Sequence, residues 1–138
     1  MSDELVLRME FCAGELPLVR ALVEEGAIRG RLAAADRGVS VQAVLEAATS
    51  AVVHGGGAGS VELRVAEGEL RCAVTDRGPG DPAARAEGPG LRLAASLIGG
   101  TGRLRLRNTR RGTTATLTVP LPDTATAASP RATTPTAR

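Results

Sequence analysis

Five stretches of this chain repeat apolar residues at every second position, and nothing else in it limits the fold so strongly. Leu5, Leu7, Met9 and Phe11 form the first, with Val6, Arg8 and Glu10 between them. Val61, Leu63 and Val65 form the second, alternating with Glu62 and Arg64, and Leu70, Cys72 and Val74 form the third. Leu104 and Leu106 sit between Arg103, Arg105 and Arg107, and Ala115, Leu117 and Val119 alternate with Thr114, Thr116 and Thr118. A period of two sends successive side chains to opposite faces, so each stretch reads as a half-buried strand. Glu67-Gly68 is a turn between the second and third, and the last two should pair as a hairpin.

Between the strands the period changes to that of helices. Pro17 suits a first helical turn, and Leu18, Val19, Leu22 and Val23 give an apolar stripe. Gly26, Gly30 and Gly38 interrupt the next stretch, leaving residues 27–37 as a ragged continuation. Ser40 is a suitable N-cap for the next helix, in which Val41, Val44, Leu45, Ala48 and Val52 face the core. Glu46, Ser50 and His54 recur every four residues on an adjoining stripe, before Gly55-Gly56-Gly57 ends the helix. Leu91, Ala94, Ala95 and Ile98 predict a short helix stopped by Gly99-Gly100. The expected fold is α+β: a two-layer sandwich, with helices covering one face of a largely antiparallel sheet.

The length of 138 residues suits one domain over residues 1–121. Residues 122–138 are mostly Thr, Ala, Pro and Arg without apolar periodicity, and read as a disordered tail. With 43% hydrophobic and 1% aromatic residues, the core must be built from Leu, Val, Ile and Ala. No apolar run reaches the ~18–20 residues of a membrane helix, and Met1-Ser2-Asp3-Glu4 lacks the basic start of a secretion signal. A cytoplasmic location is expected. All 17 basic residues are arginine, and the net charge is only +2. A nucleic-acid binder shows a denser basic patch and stacking aromatics, whereas Phe11 is the only aromatic residue here. Arg103, Arg105 and Arg107, with Arg110 and Arg111, read as a solvated strand face. Cys12 and Cys72 lie far apart, without metal-ligand spacing, and read as reduced, buried small hydrophobes.

The chemistry concentrates after the third strand. Asp76-Arg77-Gly78-Pro79-Gly80 follows it directly, and Gly88-Pro89-Gly90-Leu91 opens the short helix. Gly112-Thr113-Thr114 opens the last strand. An acid fixed at a strand end accepts a hydrogen bond from the exocyclic amine of a base. Glycine turns let backbone N–H groups approach phosphates, and a helix N-terminus adds positive dipole. Together they read as a nucleotide pocket.

In this order the elements resemble the Bergerat-fold (GHKL) ATPases, the superfamily of gyrase, Hsp90, histidine kinases and MutL. Within it they are most similar to the anti-sigma factor serine/threonine kinases of bacterial partner-switching systems. The segment from Leu45 to Gly55 resembles the N box, Asp76 to Gly80 the G1 box, Gly88 to Leu91 the G2 box, and Gly112-Thr113-Thr114 the last threonine-bearing motif. The resemblance implies ATP with magnesium as cofactors. It implies that Glu46 is the general base, that Asp76 accepts the adenine amine, and that Gly78 and Gly80 form the turn beneath the base. The stretch through Gly88, Gly90 and Leu91 would be a lid over the phosphates that orders with nucleotide, and Thr114 would support the adenine-side hydrogen bonds. The implied partners are a sigma factor or an anti-anti-sigma protein, and a homodimer is common among such kinases.

The chain departs from that pattern at one position. Ser50 stands where the N box carries an asparagine whose carbonyl ligates Mg²⁺. A serine hydroxyl is a shorter, poorer ligand for an ion that demands octahedral geometry, although a water can bridge the gap. Three functions are therefore expected as candidates. The first is an ATP-binding anti-sigma regulator that phosphorylates a serine of its partner; the second is a non-catalytic Bergerat-fold module that regulates a partner by binding. The third, a histidine-kinase catalytic domain, needs a phosphoacceptor on a separate chain.

Overall fold

The computed structural model describes residues 4–76, 89–109 and 112–122. Gly78, Gly80 and Gly88 lie outside these described residues, as do Arg110, Arg111 and residues 123–138 of the expected tail.

The alternating stretches form one sheet. Its strands are β1 (Glu4–Cys12), β2 (Ala58–Ala66), β3 (Glu69–Asp76), β4 (Arg103–Thr109) and β5 (Gly112–Pro120). They pair antiparallel throughout, in the order β1-β2-β3-β5-β4. The β2–β3 hairpin turns at Glu67 and Gly68, with φ of 53° and 76°, the left-handed pair that matches strand twist in a two-residue loop. The helices are α1 (Leu16–Arg29), α2 (Ala34–His54) and α3 (Pro89–Ile98). Val61, Leu63, Leu70, Cys72, Val74, Ala115, Leu117 and Val119 are buried beneath them, while Arg103, Arg105 and Arg107 on the other face are exposed. The α+β sandwich expected from the sequence is the fold observed.

The core is built from small aliphatic side chains, with Phe11 its only aromatic member at 2% exposure. Small residues also set the layer spacing. A Cβ on Gly26 of α1 would overlap the Leu63 side chain of β2, so the missing side chain lets α1 settle onto the sheet.

Three local expectations are corrected. Helix α2 begins at Ala34, so Ser40 is not its cap but a buried residue within it, at 1% exposure. Helix α1 runs through Gly26 and ends at Gly30, whose N–H bonds the Gly26 carbonyl at 2.9 Å. Arg31 then turns the chain with φ 64°, and alanines with Asp36 in the first turn start α2. Alanine has the highest helix propensity and an acid favours the positive N-terminal end, which outweighs the exposed Gly38. Cys72 is buried as expected, but Cys12 is exposed at the end of β1. There its N–H donates to Glu15 Oε1 at 3.0 Å.

Candidate nucleotide-binding site

Asp76 ends β3 on the helix-facing side of the sheet and is 1% exposed. Burial of a carboxylate is costly and calls for a compensating partner, so such a residue at a strand end is a site candidate. It pairs in register with Gly59 of β2. Above it, Gly55 caps the C-terminus of α2, its N–H bonding the Ala51 carbonyl at 2.8 Å. A Cβ on Gly55 would run into the Asp76 carboxyl carbon. The glycine that ends the helix therefore makes the space the acid occupies.

The threonine beside Asp76 is Thr113. On β5 Thr113, Ala115, Leu117 and Val119 are buried with the same parity as Asp76 and Val74 across the sheet, and Thr118 is buried on the opposite face. Thr113 is 3% exposed. Thr114 pairs with Thr75, and their hydroxyls lie 3.0 Å apart on the face turned away from the helices. The alternation of Ala115, Leu117 and Val119 already carried this signal: counting back by two reaches Thr113, not Thr114.

The second part of the site lies between α2 and α3. Glu46, Ser50 and His54 line one cavity of about 300 Å³ with Thr49, Val53, Gly90 and Leu93. The stripe read from the helical period is thus brought to one wall, facing the start of α3. Glu46 is half-buried and accepts a hydrogen bond from Gln42 Nε2 at 3.1 Å. Gly90 lies close against α2: a Cβ there would stand 3.5 Å from the Glu46 carbonyl oxygen and 3.6 Å from Ser50 Cβ. Leu91 turns the other way into the core at 1% exposure, so its side chain anchors α3 and does not face the cavity.

A larger cavity of about 410 Å³ opens on the other side of Gly55, between the end of β1 and the start of β2. It contains none of Glu46, Ser50, Asp76 or Gly90, and Glu10 and Glu15 line it. Two acids repel a polyphosphate, so size alone does not make it the nucleotide site.

The donor set fits an adenine nucleotide: a buried acid, a glycine-opened helix end and the N-terminal turn of α3. It fits magnesium less well. Magnesium takes oxygen ligands in a near-ideal octahedron, and among the described residues Glu46 is the one carboxylate lining the cavity. No helix among the described residues is long and apolar enough to cross a membrane.

Comparison with known proteins agrees with this arrangement. A family model described as a histidine kinase-like ATPase domain matches residues 12–119. Among solved structures, the chain is similar to the blue-light activated histidine kinase of Erythrobacter litoralis EL346. That likeness has 30% identity and a TM-score of 0.53, and covers 62% of this chain and 30% of that one. The chain thus spans less than a third of that kinase. The histidine kinase AdeS of Acinetobacter baumannii is similar in fold, with a TM-score of 0.55 at 14% identity over 88% of this chain and 68% of that one. No curated protein matches the chain significantly. With the family model covering most of the sequence, and with Asp76 set against Gly55 and the α2 stripe lining one cavity, the chain belongs to the histidine kinase-like ATPase domain family of the GHKL superfamily.

Proposed function

We propose that this protein is an ATP-binding regulatory domain that controls a protein partner, of the anti-sigma type found in partner-switching pathways. The observation that carries the ATP reading is Asp76, buried at the end of β3 against Gly55. There its carboxylate is the acceptor for the adenine amine, with Thr113 on the same face of the sheet. The phosphates extend along α2 into the cavity formed with α3. Glu46 is the candidate base: as the one carboxylate among the described residues that line that cavity, it would take the proton of an attacking serine hydroxyl. Phosphoryl transfer by this route would also call for magnesium, to neutralise charge on the transferring group.

The anti-sigma assignment is supported by the sequence likeness of the N, G1 and G2 boxes to those of the small anti-sigma kinases. The partner is a sigma factor or an anti-anti-sigma protein. A second reading, a regulator that binds ATP and its partner without phosphoryl transfer, is favoured by Ser50 at the N-box asparagine position. Both readings are tested by calorimetry with ATP and by co-purification and phosphotransfer with candidate sigma and anti-anti-sigma proteins. ATP binding with partner binding supports the regulator, and phosphate on a partner serine selects the kinase. Failure to bind ATP refutes both.

A further inference from the structure

The groups that line the cavity between α2 and α3 bear on what accompanies the nucleotide, given the proposal that ATP is the ligand. Magnesium bound with a nucleotide keeps several waters and takes a few protein oxygens, most often one or two carboxylates, with phosphate oxygens in near-ideal octahedral geometry. Among the described residues the cavity offers one carboxylate, Glu46, already engaged by Gln42 Nε2 at 3.1 Å. Its other polar groups are the Thr49 and Ser50 hydroxyls and the His54 imidazole, and imidazole suits softer ions. Val53 and Leu93, 63% and 46% exposed, make its rim apolar.

Ser50 is poorly placed to help. It is 6% exposed and lies under the first turn of α3, where Gly90 approaches it. Its oxygen stands one bond from Cβ, whereas an amide oxygen would stand two bonds out, nearer the cavity. Among the described residues there is no group of three or more His, Cys, Asp or Glu placed to hold a metal ion. The groups suited to anionic phosphate are different ones. His54, exposed at the end of α2, brings a ring N–H donor to the cavity, and α3 presents its N-terminal turn at Gly90.

We propose that the phosphate end of the nucleotide is held between α2 and α3 without a bridging divalent cation, its charge met by the N-terminal turn of α3 and a hydrogen bond from His54. The nucleotide is then a regulatory ligand and not a phosphoryl donor.

Calorimetric titration of the full chain with ATP, once in magnesium buffer and once in EDTA, tests this. The two dissociation constants should agree within about threefold, under ~0.7 kcal/mol. A tightening of about tenfold or more by magnesium overturns the proposal while leaving ATP binding intact. Absence of binding in both buffers overturns the ATP reading itself, and this inference with it. His54→Gln should weaken ATP by the same factor in both buffers, and unchanged affinity removes His54 from its role. Ser50→Asn should acquire a magnesium dependence of about tenfold. If that variant, folded by circular dichroism, stays indifferent to magnesium, the metal ligand was not lost at position 50. The wild-type comparison decides the proposal even where the variant does not fold.

Discussion

Replacing Gly55 with alanine adds one methyl group where α2 meets the end of β3, and the geometry sets what that methyl does. Gly55 has φ −113° and ψ 28°, which alanine adopts without difficulty, so the cost is not in the backbone. The new Cβ would overlap the Asp76 carboxyl carbon and lie 2.5 Å from Asp76 Cβ and 2.6 Å from the Ala51 carbonyl oxygen. These atoms belong to a strand end and a helix backbone, so relief must come from turning the Asp76 carboxylate or lifting the helix end. Overpacking of this kind costs about 1–3 kcal/mol. For a domain of this size that lowers Tm by about 4–12 °C, at roughly 4 °C per kcal/mol. A displaced carboxylate would also lose the charged hydrogen bond to adenine proposed for it, about 1.5–3 kcal/mol or roughly 10- to 150-fold in affinity. Thermal melts and calorimetry with ATP measure the two effects on one sample. Gly38→Ala is the control, because its Cβ would enter open space on exposed α2 and should stabilise by about 0.5–1 kcal/mol. A Gly55→Ala protein with wild-type Tm and wild-type ATP affinity would refute the contact and the site built on it.

Other outcomes follow from burial. Leu63→Ala removes a fully buried side chain beneath α1 and should cost about 2–5 kcal/mol in a denaturant melt, with no separate effect on ATP affinity in folded protein. In native protein a thiol reagent should modify Cys12 quickly and Cys72 only on unfolding, because burial pushes the Cys72 thiol up from 9.0 to about 12. The unfolded chain therefore loses the Cys72 proton first as pH rises. The corresponding stability is intact below pH 9 and declines between pH 9 and about 12, and Cys72→Ala should flatten that slope in melts across the range.

Much of the layer arrangement was legible because a period of two survives any detail of packing. The five alternating stretches became the five strands, and the turn at Glu67-Gly68 fell where the sequence put it. The Glu46, Ser50 and His54 stripe was legible for the same reason, since helical spacing alone brings these residues to one wall. The start of α2 was not. Ser40 is a good cap by residue type, but Ala34, Ala35 and Asp36 begin the helix earlier and the serine ends up in the core. Thr114 is the threonine that motif likeness names, whereas strand parity puts Thr113 on the buried face with Asp76. The contact of Gly55 with Asp76 joins residues on different elements, and no local pattern encodes it. Exposure of Cys12 depends on β1 ending where the chain bends into the turn at Ala13–Glu15, which alternation does not mark.

The most direct test of the account is a calorimetric comparison of ATP with inosine triphosphate on the wild-type chain. The two nucleotides differ at the group that Asp76 is held to recognise: an amine that donates in ATP, a carbonyl that accepts in its analogue. A buried carboxylate rewards the first and repels the second, so ATP should bind at least about tenfold more tightly, from a charged hydrogen bond of ~1.5–3 kcal/mol. Asp76→Asn, whose amide both donates and accepts, should narrow that difference. Equal affinity of the wild-type chain for the two nucleotides would contradict the adenine site at the end of β3.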